Sequence, residues 1–195
     1  MLGRMLRQLR RFNSRREQPV ATPAARPPIA PQDDEAFFLP FEIRPADPAD
    51  LAQLAAIFRA AIANQAGNPS YNNRQLNAWS AGADNHQQFH DALLEGTTII
   101  AERHGKVVAF AQLAPADTLR MLYVHPDAGG LGIATLLCQY LEDEARIAGS
   151  DKLVTSASLA ALRFFEGMGF KELGRNTIKR TGIALEQALM EKRLK

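Results

Sequence analysis

From Phe41 onward the apolar positions fall into short blocks whose spacing alternates between strand-like and helix-like periods. "FEIRPA" (41–46) predicts a strand. "DPADLAQLAAIFRAAIANQA" (47–66) starts acidic, carries Pro48 near its first turn and places apolar residues at 51, 54, 57, 58, 61 and 62, which predicts a helix. "YNNRQLNAWSAG" (71–82) and "DNHQQFHDALLEG" (84–96) predict two shorter helices that end near glycines. "TTIIAERHGKVVAFAQLAP" (97–115) predicts two strands around a His104–Gly105 turn. A strand is expected over Thr118–Val124, a helix over Gly132–Ala148, a short strand over Lys152–Ser156 and a helix over Leu159–Met168. Residues 170–180 read as a strand and 183–194 as a strand or a helix, with Gly182 at the turn between them.

The first 35 residues follow another pattern. Leu2, Met5, Leu6, Leu9 and Phe12 recur at helical spacing with arginines on the other face. The Pro/Ala stretch 19–31 then breaks any regular helix and reads as an extended linker. Residues 1–35 carry seven arginines against four acidic residues, while the whole chain is only +2. The basic character therefore belongs to this extension, and the domain expected over 36–195 is no general polyanion binder, so no nucleic acid is expected. An Arg-rich, acid-poor amphipathic start has the composition of an organelle transit peptide or a membrane-surface helix. Residues 1–16 are thus a candidate for weak membrane-surface contact. No apolar run reaches the roughly 18–20 residues of a membrane span. With 195 residues, 46% of them hydrophobic, the chain can bury a core without staples. Its single cysteine, Cys138, rules out a disulfide framework within the chain and favours a cytoplasmic setting.

The chemistry concentrates in "HPDAGGLGIATLLCQYLEDEA" (125–145), where Gly129, Gly130, Gly132 and Ala134 follow a strand and open a helix. Bare backbone entering a helix offers unshielded N–H groups and the positive end of the helix dipole, which suit a phosphate. A Walker loop is excluded because no Gly-Lys-Ser/Thr follows. A dinucleotide fingerprint fails at its third small position, Thr135, and Asp151 precedes its strand instead of ending it. From the glycines alone, a tight turn and a phosphate loop remain open.

"LYVHPDAGGLGIATLL" resembles the cofactor loop of the GNAT superfamily of acetyl-coenzyme A-dependent N-acyltransferases, whose Q/R-x-x-G-x-G/A signature aligns with Gly129–Ala134. "SASLAALRFFEGMGFKELG" (156–174) resembles the family's second motif, and "FEIRPADPADL" its first strand and helix. The likeness spans about residues 41–194, and "YNNRQLNAW", "ASLAALRFFE" and "KRTGIAL" look similar to the YafP-type subgroup. It implies an α+β GNAT fold: a central, mixed but mostly antiparallel twisted sheet with splayed central strands, flanked by helices. It implies acetyl-CoA as cosubstrate, with the diphosphate on amides of Gly129, Gly130, Leu131, Gly132, Ile133, Ala134 and Thr135. The pantetheine arm would pair with the backbone of Leu122, Tyr123 and Val124, and Ser158 and Phe165 would complete the cofactor contacts. The acceptor would be a small molecule's amine or an N-terminal α-amine, bound around residues 62–82 and attacking directly, in a monomer or homodimer.

The sequence departs from the family pattern at Gly129, where Gln or Arg is usual, and at Arg120 and Ser156, where acids are common. Phe165 stands where many relatives carry a proton-donating tyrosine. These departures leave an alternative: an acetyl-CoA-binding regulatory or interaction domain with weak or lost catalysis. Tyr123 and Tyr71 are the candidate substitutes for the missing donor, and Asp117 and Glu102 the candidate bases. His125 reads as a turn residue. His86 and His90 have metal-ligand spacing on a helix but no third ligand, so no metal is expected.

Overall fold

The computed structural model describes residues 41–194. The amphipathic segment, the Pro/Ala linker and the proposed domain start at 36 lie outside the described residues.

The chain enters through β1 (Glu42–Pro45) and a 3₁₀ turn at Pro48–Asp50 that leads into α1 (Leu51–Ala63). The sequence builds this start locally. The Asp47 side chain accepts from the Ala49 amide, Asp50 returns the favour to the Asp47 amide at 2.8 Å, and Pro48 fills a position with no N–H to satisfy. Asp50 is buried and doubly bonded to Arg44 at 2.7 and 2.9 Å, and Arg44 also reaches Glu102 at 2.7 Å on the neighbouring strand. One guanidinium thereby locks the first strand, the first helix and β2 together.

α2 (Asn73–Ser80) and α3 (His86–Leu94) follow, each started by an asparagine side chain accepting an amide of its first turn. β2 (Thr97–Arg103), β3 (Lys106–Leu113) and β4 (Leu119–Val124) join β1 in an antiparallel sheet of order β1-β2-β3-β4. α4 (Ile133–Ile147), β5 (Lys152–Ser158), α5 (Leu162–Gly167), β6 (Lys171–Arg180) and β7 (Ile183–Arg193) complete the chain, the last three strands forming a second antiparallel sheet ordered β5-β7-β6. The ambiguous last segment is a strand. β5 runs two residues beyond the expected Ser156, and the helix expected over 159–168 is a 3₁₀ turn plus the short α5.

Both faces of the first sheet are covered, which is why β2 and β3 read as nearly continuous apolar runs. Ile99, Ala101, Ala109 and Ala111 join α4 residues Leu137, Leu141 and Ala145 in one core. Ile100 and Phe110, one residue out of phase, join Leu54, Phe58, Leu76, Phe89 and Leu93 from the first three helices in the other. The C-terminus of α3 is fixed by strand side chains: Thr98 donates to the Leu93 carbonyl at 2.6 Å, and fully buried Gln112 donates to those of Ala92 and Glu95 at 2.6 and 2.8 Å.

The Asp50 carboxyl is held below its ordinary range chiefly by its hydrogen bonds from Arg44. A folded-state value depressed this way contributes stability above the ordinary carboxylate range and loses it as pH falls through the folded value. Asp50→Asn should therefore cost about 2 kcal/mol at pH 7, measured by urea unfolding. The gap to wild type should narrow below pH 4; a gap that stays constant down to pH 2.5 would contradict the assignment.

Candidate active site

β4 and β5 run side by side in the same direction yet touch through one bridge, Thr118–Val154, where the Val154 amide donates to the Asp117 carbonyl at 2.8 Å. Beyond it no ladder joins them. The strands part toward Val124 and Ser158, and a cavity of about 810 Å³ opens in the gap. Leu122, Tyr123 and Val124 line it from one side, and Ser156, Ala157, Ser158 and Phe165 from the other.

β4 feeds the glycine loop at the mouth of this cleft. A 3₁₀ turn at Pro126–Ala128 is capped by the His125 ring, which accepts the Asp127 amide at 3.3 Å, so His125 is the turn residue expected. Gly130 and Gly132 then adopt φ of 75° and 78°, a left-handed backbone that side chains disfavour. Among the described residues, the six amides from Gly130 to Thr135 have no protein partner, and the first intrahelical bond of α4 is Leu136 to the Gly132 carbonyl at 3.1 Å. A Cβ at Gly130 or Gly132 would meet nothing within 4 Å. Unspent donors, an open approach and the N-terminus of a 15-residue helix fit a diphosphate. Two details distinguish members of the expected set. The Gly129 amide is taken by the Pro126 carbonyl at 3.0 Å, so the cradle starts at Gly130. The Ile133 side chain is buried in the core beneath α4, leaving only its amide to the loop.

Of the three candidate catalytic residues only Tyr123 faces the cavity. Its ring stacks on Phe110 at 5.5 Å and meets Phe58 edge-on at 4.8 Å. Burial pushes its phenol up to about 12, against a smaller opposing pull from Trp79 and from the positive charge of Arg180. Tyr71 lies outside the cavity lining. Its hydroxyl donates to the Glu186 carbonyl at 2.7 Å and accepts from the Leu159 amide at 3.0 Å, pinning the start of α2 to β7 and to the turn after β5. Asp117 sits at the closed end of the cleft, outside the cavity lining, and accepts from the Thr118 hydroxyl. Glu102 is committed to Arg44. Phe165 is a packed wall, edge-on to Phe164 and Phe170 at 5.1 and 5.3 Å. Ser158 lines the cavity with a hydroxyl that makes no helix cap.

The cavity lining extends beyond residues 62–82, where the acceptor was expected. Asn64, Gln65 and Trp79 lie within that span, but Asn85, Gln88 and Phe89 of α3 and Lys179–Thr181 at the β6–β7 turn also contribute. No local pattern in the sequence marks these; only the Thr181–Gly182 turn, with φ of 46° and 79°, carries a signal in its glycine. No Asp, Glu or His lines the cavity among the described residues, and no group of three metal-ligating side chains occurs there. The single cysteine, Cys138, is buried under α4 with its thiol pushed up to about 12 by burial, so the cleft contains no thiol nucleophile.

Two of the chain's three tyrosines, Tyr71 and Tyr123, are raised above their ordinary value by burial. Raised folded values leave stability intact below pH 10 and remove it as pH climbs from there toward 12. Tyrosinate absorbance should show a delayed component that shrinks in Tyr123→Phe. An unchanged titration in that variant would refute the burial of this phenol.

Comparison with known proteins agrees with this geometry. The family described as "Acetyltransferase (GNAT) domain" matches residues 68–194. The chain is 30% identical over 141 residues to an L-methionine sulfoximine/L-methionine sulfone acetyltransferase of Salmonella typhimurium, covering 66% of this chain and 78% of the relative. It is 27% identical to the uncharacterized N-acetyltransferase YafP of Escherichia coli, covering 72% and 88%. A GCN5-related N-acetyltransferase from Rhodopseudomonas palustris superposes with a TM-score of 0.76 at 37% identity, covering 78% of this chain and 95% of that one. The Salmonella typhimurium acetyltransferase yncA, solved with acetyl-CoA, superposes at 0.56 with 25% identity, covering 80% and 94%. No helix of the described residues is long and apolar enough to cross a membrane. The parted strands, the unspent amides and the family match together place the chain in the GNAT superfamily, as an acetyl-CoA-dependent acyltransferase.

Proposed function

We propose that this chain transfers acetyl to the amine of a small molecule or to an N-terminal α-amine, by direct attack and without an acyl-enzyme. The observation that carries the reading is the continuity of one cavity from the cleft between β4 and β5 to the polar, uncharged side chains of α1–α3. When bound, acetyl-CoA supplies an activated acetyl group as a thioester. Amides of Gly130–Thr135 hold its diphosphate, and the free edge of β4 at Leu122–Val124 aligns its arm as a surrogate strand.

Positioning of this kind is worth about 7–11 kcal/mol. It has to serve, because the cavity offers no carboxylate or imidazole to take the acceptor's proton. Removing that proton at pH 7 costs about 4–5 kcal/mol for a lysine-like amine but about 1 kcal/mol for an α-amine near pKa 8. The shortage of bases therefore favours weakly basic acceptors with water taking the proton. Tyr123, protonated throughout the working range, is the group that can donate to the leaving thiolate. The buried thiol suits a reducing, cytoplasmic setting, and residues 1–35 are read as an extension outside the catalytic domain.

Turnover of acetyl-CoA across an amine panel tests the reading, with transfer expected to α-amines well ahead of lysine side chains at pH 7. Cofactor binding in calorimetry with no transfer to any amine would defeat it in favour of a binding domain. Tyr123→Phe should lower kcat by about 10²-fold with little change in acetyl-CoA affinity; an unchanged kcat would remove Tyr123 from the chemistry. Gly132→Trp, which forces a side chain into a left-handed backbone at the cradle, should abolish acetyl-CoA binding while far-ultraviolet circular dichroism stays native. Leu122→Ala, by contrast, should bind nearly as wild type, since that strand is read through its backbone.

A further inference from the structure

The charged residues lining the cavity are Arg120, Lys179 and Arg180, all cationic. They are not equivalent. Arg120, at an irregularity where β4 skips a partner on β3, is already paired with Glu95. Lys179 and Arg180 are successive strand residues, so their side chains leave opposite faces of the second sheet. Ile178 fixes which face is which: it packs into the core of α1–α3, directly across from buried Leu185. Arg180, two residues on, shares that face and so points toward the acceptor end of the cavity. Its positive charge is felt by the Tyr123 phenol. Unlike Arg175 on the same strand, which is paired with both Glu172 and Glu186, the Arg180 guanidinium has no ion pair or side-chain hydrogen bond among the described residues.

An unpaired guanidinium beside a cavity without acids is a site for an anion carried by the acceptor. We propose that Arg180 is a specificity-determining residue that binds a carboxylate on the acceptor, so that the substrate class is amines bearing a carboxylate. A guanidinium offers two parallel N–H donors that match the two oxygens of a carboxylate, which fixes orientation as well as charge. With its carboxylate anchored at the β6–β7 turn, such an acceptor spans the cavity and turns its amine toward the cleft between β4 and β5. The same cations repel acceptors with additional positive charges, so polyamines and aminoglycosides are disfavoured. The proposal rests on the acetyltransferase reading above and adds the recognition of the acceptor to it.

Matched pairs of probes test it: L-leucine against leucinamide and L-phenylalanine against phenylalaninamide, with spermidine as the polycation, each assayed for acetyl-CoA-dependent acetylation by the full chain. The readout is the acid-to-amide ratio of kcat/KM in wild type divided by that in Arg180→Ala. This double ratio cancels the intrinsic difference in amine basicity. It should be about 10–100-fold, carried mainly by KM of the acids, and be partly restored in Arg180→Lys. Acetyl-CoA affinity close to wild type in both variants shows that they are folded. A double ratio near one, or spermidine outperforming both acids in wild type, overturns the carboxylate site while the acetyltransferase reading stands. No acetylation of any probe overturns both.

Discussion

Two central strands that lie parallel and decline to pair leave backbone groups that cost about 1–3 kcal/mol each when buried without a partner. The chain tolerates this between β4 and β5 because each side is self-sufficient. The first sheet has four antiparallel strands with helices on both faces, and the second has three strands with its own ladder. The Thr118–Val154 bridge sets the apex of the gap, and everything beyond it is geometry inherited from that apex. The edge of β4 is left unpaired, and the loop that follows is delivered to the mouth of the gap with six amides unspent.

The site works by placement more than by reactive side chains. The polar groups around it are amides, hydroxyls, an indole and cations, and the groups that could act as bases are spent on architecture: Glu102 on Arg44, Asp117 on the apex, His125 on its turn. A fold that spends its acids this way confines itself to chemistry in which the reactants are already activated. A thioester satisfies that condition on one side, and the proposed acceptor of low basicity would satisfy it on the other.

Much of this was legible in the residues because it is local. The acidic start and Pro48 before α1, the apolar spacing of α1 and the glycines at Gly130 and Gly132 all act within a few positions of themselves. What the residues did not reveal depends on contacts beyond the local sequence. Tyr71 looked available, but its two hydrogen-bond partners are 88 and 115 residues away. Gly129 is chemically identical to Gly130, and only the preceding turn decides which amide is already used. β5 overran its expected end because pairing with β7 extends through Ser158, a distant partner that propensity does not contain. Arg180 was invisible as a site residue because its facing follows from Ile178 packing across the molecule against α1–α3.

The seclusion of Cys138 reaches beyond stability. Its sulfur lies in the core under α4, 3.8 Å from the buried Glu142 carboxylate, which is itself bonded to Lys192 at 2.6 Å. A neighbouring negative charge and the lack of solvent both oppose thiolate formation, and the sequence has no second cysteine. The native chain is thus silent toward disulfide reagents and alkylators. Free coenzyme released during turnover is the reactive sulfhydryl in the reaction mixture, and a colorimetric thiol probe can follow it continuously against a flat background.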